Sequence, residues 1–235
     1  MLPVYLSSRA LPFVLSVIAG STDIIGFLGL SGLFTAHITG NIVVLAAHIV
    51  IGDPAILSYI LSVPVFMVVV GLTVLLAGRL EAIGVASLEP LLLLQAFLLA
   101  GFLMLSVAAG EHTDPNAAIA VVAGMFGVSA MAVQNALVQT SLPGAPPTAV
   151  MTSNITRFMV DLGLLLVARD PDKLAKARNQ AKNTWPAIIG FVIGCGLGAA
   201  LEAAWGLWSL ALPTGLALLA FILILSAKSA EQKSE

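Results

Sequence analysis

From Leu11 to Leu225 the chain is a succession of apolar runs, separated by short polar breaks. Each is close to the roughly 20 residues that an α-helix needs to cross a bilayer. Only 9% of the 235 residues are charged and the mean hydropathy is +1.06, against about 25% charged residues in an ordinary soluble domain. A chain with so little polar surface cannot cover a water-facing globule. The expected fold is an all-α polytopic membrane protein, with residues 1–235 as a single transmembrane domain and the lipid bilayer as its first partner.

Hydropathy divides the chain into eight helical segments: Leu11 to Leu30, Phe34 to Ile51, Ala55 to Ala77, Leu88 to Ala109, Ala117 to Val138, Thr148 to Val167, Trp185 to Ala204 and Leu207 to Leu225. Turn-forming residues punctuate them at Gly52-Asp53-Pro54, from Glu111 to Asn116 and from Pro143 to Pro147. The long hydrophilic stretch from Arg169 to Thr184 is expected as a loop. Arg9 followed by an apolar stretch resembles a signal peptide, but the stretch continues to Leu30, so a retained first helix is expected.

The second and sixth segments begin with small and polar residues, Thr35-Ala36-His37-Ile38-Thr39-Gly40-Asn41 and Thr148-Ala149-Val150-Met151-Thr152-Ser153-Asn154. Superposed, they match at Thr35 with Thr148, Ala36 with Ala149, Thr39 with Thr152 and Asn41 with Asn154. The helix before each also carries buried polar groups, Asp23 in the first half and Gln134-Asn135 in the second. The chain reads as two related halves, 11–109 and 117–225.

If both motif segments are re-entrant, six full spans remain and the repeat is inverted. If both cross, there are eight spans and the repeat is parallel. The six-span arrangement puts Arg9, Arg79, the cluster Arg169, Lys173, Lys176, Arg178 and Lys182, and the tail Lys228 and Lys233 on one side. The positive-inside rule favours it and places both termini in the cytoplasm.

In that arrangement Thr39, Gly40, Asn41, Thr152, Ser153 and Asn154 stand at the starts of half-helices, whose free N–H groups and partial positive charge suit an anion or a dipolar solute. Thr39 and Thr152, or Asn41 and Asn154, are expected to cap those starts. Gln134 and Asn135 add amides. Asp23 lies deep in the first helix, where a carboxylate must be paired, hydrated or protonated. With His37 it is a candidate for proton coupling. His48, eleven residues on, would share a face with His37 in a continuous helix. Arg157 and Asp161 have the four-residue spacing of an intrahelical ion pair.

Gly190, Gly194 and Gly198 form a ladder for close helix packing, within the bundle or across a homodimer. Trp185, Trp205 and Trp208 read as interfacial anchors. Cys195 has no disulfide partner, and neither it nor a carboxylate stands at ligand spacing from the histidines, so no metal or other cofactor is expected. A net charge of −2 leaves no basic excess for nucleic acid.

Ala19-Gly20-Ser21-Thr22-Asp23, His37-Ile38-Thr39-Gly40-Asn41, Met131-Ala132-Val133-Gln134-Asn135-Ala136 and Val150-Met151-Thr152-Ser153-Asn154-Ile155-Thr156-Arg157 resemble the YoaK-like bacterial membrane proteins, a family of unknown function. The family pattern has Gly where this chain has Ser153, a change that adds a hydroxyl to the site. The resemblance implies a bacterial inner-membrane protein and supplies no substrate. The residues themselves favour a transporter or channel for a small polar or anionic solute. A non-transporting scaffold is the alternative. An intramembrane enzyme built on Asp23 and Asp161 is less well supported, because no nucleophile accompanies them.

Overall fold

The computed structural model describes residues 10–52, 57–110 and 112–232. Arg9, Asp53, Pro54, Glu111 and Lys233 lie outside them. Regular structure among the described residues is helical: α1 (Leu11–Gly29), α2 (Ile38–Ile51), α3 (Leu57–Ala82), α4 (Leu88–Ala109), α5 (Ala118–Ser141), α6 (Met151–Val167), α7 (Pro171–Trp205), a 3-10 turn (Gly206–Leu210) and α8 (Ala211–Gln232). Five stretches are long and apolar enough to cross a membrane: α1, α3, α4, α5 and Pro171–Ser226, which takes in α7 and most of α8.

Polarity is turned inward. Ser16, Ser21, Thr22 and Asp23 of α1 are buried, while Val43, Ile49, Val68, Leu72, Phe97 and Leu166 are exposed. Water would select the opposite arrangement, whereas a hydrocarbon solvent drives polar side chains into the bundle. There they bond to backbone: Ser21 Oγ donates to the Val17 carbonyl at 2.8 Å and Thr22 Oγ1 to that of Ile18 at 2.7 Å.

The centre of the bundle is α1 and α5, with Leu15, Ile18 and Ile25 packed among Met131, Val133 and Leu137 and closed by Leu91, Leu99 and Phe102 of α4. The broadest contact joins α1 to α7. Gly190 meets Phe13 and Ser16, and Gly198 meets Ser21 and Ile24, so the two helices run in the same direction. A Cβ on Gly190 would lie 2.7 Å from the Phe13 carbonyl oxygen, and one on Gly194 would overlap that of Val17. The glycine ladder therefore packs within the chain, and a second copy would have to displace α1 to use the same face.

Helix ends are tied together at both ends of the bundle. At one end the Leu57 N–H donates to Asn116 Oδ1 at 2.8 Å and the Tyr59 hydroxyl donates to the Ser31 carbonyl. At the other, the Ser87 and Ser141 hydroxyls lie 2.8 Å apart and Lys228 pairs with Glu89 at 2.9 Å. The turn after α1 needs Gly32, whose φ is +87° and whose Cβ position lies 2.9 Å from the Tyr59 hydroxyl.

Several boundaries differ from those expected: α3 runs on past Ala77 to Ala82, α5 past Val138 to Ser141, and α8 covers Ala211–Gln232 in place of Leu207 to Leu225. The helical part of the second segment starts at Ile38, not Phe34, and that of the sixth at Met151, not Thr148. The hydrophilic stretch expected as a loop is helical from Pro171, making α7 35 residues long. Asp170 caps it by accepting from the Asp172 N–H at 3.0 Å, and Pro171 fits the first helical position. Its Ala, Lys, Arg and Gln residues are strong helix formers, so hydrophilicity there marks a helix leaving the apolar layer. Trp185, Trp205 and Trp208 are exposed.

Candidate functional site

Asp23 is 5% exposed and organises the start of α2. Its Oδ1 accepts from the backbone N–H of Thr35 at 2.8 Å, Ala36 at 2.7 Å and His37 at 3.3 Å, and from Thr35 Oγ1 at 3.4 Å. Its Oδ2 lies 2.7 Å from His37 Nδ1. A buried carboxylate thus meets a row of N–H donors and an imidazole, a charge-assisted arrangement that meets the cost of its depth. Because those N–H groups point at Asp23, Phe34 to His37 stays out of helix and α2 starts at Ile38.

Capping differs from expectation. His37 and Val150 hold the N-cap positions, and neither start has a side-chain cap from Thr39, Asn41, Thr152 or Asn154. Asn41 reaches back instead: its Nδ2 donates to the Phe34 carbonyl at 2.8 Å while its Oδ1 accepts from the Phe34 N–H at 2.9 Å. The Phe34 ring covers Gly40, where a Cβ would sit 2.8 Å away. His37 and His48 do not share a helical face, since His37 precedes the helix and the His48 ring lies 5.6 Å from that of Tyr59.

At the start of α6, Asn154 Nδ2 donates to the Pro147 carbonyl at 2.5 Å across the same seven residues. Proline has no N–H to return the bond, and Asn154 Oδ1 is buried without a partner. The neutral Gln134 bonds to Thr148 as Asp23 bonds to Thr35. Its Nε2 donates to Thr148 Oγ1 at 2.9 Å and to the Leu15 carbonyl at 2.8 Å, and its Oε1 accepts from Gln95 at 2.7 Å. Asn135 Nδ2 donates to the Met131 carbonyl at 2.8 Å, and Ser153 Oγ donates to that of Val150 at 3.1 Å.

The two helix starts line one cleft of about 350 Å³. Ala36, His37, Ile38 and Thr39 form one wall, Ala149, Val150, Met151 and Thr152 another, and Phe66 and Asn135 complete the lining. Gln134 and both motif asparagines are fully buried behind these walls and hold them in place. Thr39 and Thr152 are the exposed hydroxyls in the cleft.

Arg157 and Asp161 do not pair. Arg157 is exposed, whereas Asp161 is 3% exposed with Oδ2 unpartnered. Asp161 falls on the buried face of α6 with Asn154 and Met151, and α6 packs chiefly on α7, whereas Arg157 stands at the exposed edge of that face. Sequence reasoning assigned no part in the site to Phe34, Phe66, Gln95 or Pro147. Gln95 alone carried a signal, as the single amide between Leu91 and Leu105. Among the described residues no cluster of three His, Cys, Asp or Glu could hold a metal.

No curated protein and no solved structure matches the chain. A family model does match over residues 11–223, a span that takes in both helix starts, Asp23, Gln134 and the cleft. The chain belongs to the family described as protein of unknown function (DUF1275).

Proposed function

We propose that this membrane protein is a transporter or channel for a small polar or anionic solute, which binds in the cleft between the starts of α2 and α6. The observation that carries the reading is the single cleft lined by both motifs. Two interrupted helices meeting at a shared cavity, supplied by related halves, are the construction on which many secondary transporters are built.

The reading includes an inverted repeat in a bacterial inner membrane. Helices α1, α3, α4, α5, α7 and α8 span it, α2 and α6 are re-entrant from opposite faces, and both termini and the α7 extension are cytoplasmic. Side-chain ties support it. The His48 ring lies against Tyr59, whose hydroxyl reaches Ser31 at the end of α1. If α2 ran on across the bilayer, His48 would lie about 16 Å beyond the depth of His37, away from Ser31. Only residues 168–170 separate α6 from the cation-rich start of α7, so α6 ends on the opposite face. Packing repeats as well: α1 of the first half lies on α7 of the second, and α5 of the second on α3 of the first. The halves share the asparagine bond to the residue seven positions back.

Neither buried acid is placed for enzyme chemistry. Asp23 is occupied by N–H groups and His37, and Asp161 faces α7. A scaffold would have no use for a cleft with hydroxyls at its surface. Purified protein in liposomes should pass small solutes, and Thr39→Val combined with Thr152→Val should abolish the flux while the variant still folds. Folded protein that passes none of a panel of small anions, neutral polyols and amino acids would contradict the reading.

A further inference from the structure

We infer that the solute is an anion, and that Arg157 selects it from a polar strip on α6 that leads into the cleft. This inference rests on the cleft being the solute site and on α6 being re-entrant.

Thr152 lines the cleft. Thr152, Ser153, Thr156 and Arg157 are all exposed, and the four-residue steps from Thr152 to Thr156 and from Ser153 to Arg157 make them a continuous polar band over the first two turns of α6. The corresponding residues of α2, in the register that aligns Thr39 with Thr152, are Thr39, Gly40, Val43 and Val44. One motif helix therefore carries valines where the other carries a hydroxyl and a guanidinium. Val43 at 70% exposure is at home against lipid. Thr156 and Arg157 in the same place need water or an anion, since a bare cation facing hydrocarbon is expensive.

The charge is not cancelled within the chain. Among the described residues Arg157 has no ion pair, and Asp161, one turn on along the same side of α6, is buried while Arg157 is exposed. Asp23, the carboxylate behind the cleft, is already matched by three N–H groups and His37. Gln134, in the corresponding place of the second half, is neutral. The exposed approach along α6 is thus positive, with the neighbouring carboxylate of Asp161 buried beneath it. Arg157 lies six residues from Met151, about 9 Å along the axis, and a helical side chain leans toward its helix N-terminus. For α6 that end is the cleft, so the guanidinium leans toward the solute site and away from the cytoplasmic headgroups. A planar fork of donors suits a carboxylate or an inorganic oxyanion.

The test is osmotic swelling of phosphatidylcholine proteoliposomes in potassium formate, nitrate or phosphate with valinomycin, compared with urea and glycerol. The protein should swell vesicles in at least one anion. Arg157→Gln should slow that swelling by about tenfold or more, the lower range for charge focusing in a cleft, and Arg157→Lys should retain most of it. Thr156→Val should also slow it, in a fold whose melting temperature is unchanged. Swelling in urea or glycerol that is equal in the parent and Arg157→Gln, with none in the anions, would overturn anion selection and leave transport standing. Folded protein inactive toward every probe would remove transport and this inference with it. Anion swelling untouched by Arg157→Gln, with phosphatidylglycerol stabilising the parent and not the variant, would assign Arg157 to a lipid headgroup and overturn the inference.

Discussion

Asn154 holds the carbonyl of Pro147 as Asn41 holds that of Phe34, but only Phe34 has an N–H to donate back. The turn before α2 is therefore closed by two bonds and the turn before α6 by one. Asn41→Ala removes both bonds and leaves two backbone groups of Phe34 buried or half-buried without them. It should cost about 1 kcal/mol more than Asn154→Ala, the size of one net hydrogen bond. Thermal melting in detergent ranks the two. A larger loss for Asn154→Ala would show that the open Oδ1 has a partner.

Asp23 and His37 should be energetically coupled. Asp23→Asn leaves an amide oxygen facing the N–H row but removes the charge that faces His37, 2.7 Å away. With His37→Gln it forms a double-mutant cycle whose coupling should exceed about 1 kcal/mol, as for residues sharing one polar network. Losses that simply add would mean that the pair contributes nothing beyond its separate bonds.

The α1–α7 contact predicts a sharp difference between neighbouring glycines. A side chain on Gly194 meets the Val17 carbonyl and the Ser21 N–H, whereas nothing lies within 4 Å of a Cβ on Gly196. Gly194→Leu should abolish folding or lower the melting temperature severely, beyond the usual 1–3 kcal/mol or so of overpacking. Gly196→Leu should melt close to the parent. Similar behaviour of the two variants would mean that the helices are further apart.

How much was visible beforehand varies by residue. The α4 boundaries at Leu88 and Ala109 coincide with those from hydropathy, because an uninterrupted apolar run ends there at Gly110, whose φ is +83°. The starts of α2 and α6 were misplaced because Phe34 to His37 and Thr148 to Val150 look helical by composition. What holds the first of them out of helix is Asp23, twelve to fourteen residues earlier. No periodicity records such a contact. The motif residues were conspicuous as polar groups in apolar surroundings. Their division into buried braces, Asn41 and Asn154, and cleft-facing hydroxyls, Thr39 and Thr152, depends on the turn closed by each asparagine. Arg157 and Asp161 show the limit of spacing: four residues permit a pair, but Asp161 is buried while Arg157 is exposed, and the two do not meet.

Asp161 is a buried acid with one oxygen unpartnered, which lowers stability unless the group serves the site. Asp161→Asn keeps its shape and should melt at or above the parent temperature. A fall of several degrees would reveal a bond that the carboxylate makes and the amide cannot.

Everything proposed for the cleft depends on α2 and α6 entering from opposite faces, and impermeant thiol labelling in intact cells measures this directly. In a Cys195→Ala background, His112→Cys reports the α4–α5 connection and Ala86→Cys the α3–α4 connection, both at exposed positions. With re-entrant α2 and α6, His112→Cys labels in intact cells and Ala86→Cys labels only after the membrane is permeabilised. Labelling of Ala86→Cys in intact cells with both His112→Cys and Lys176→Cys protected would mean that α2 crosses the bilayer, and would contradict the inverted repeat and the shared site built on it.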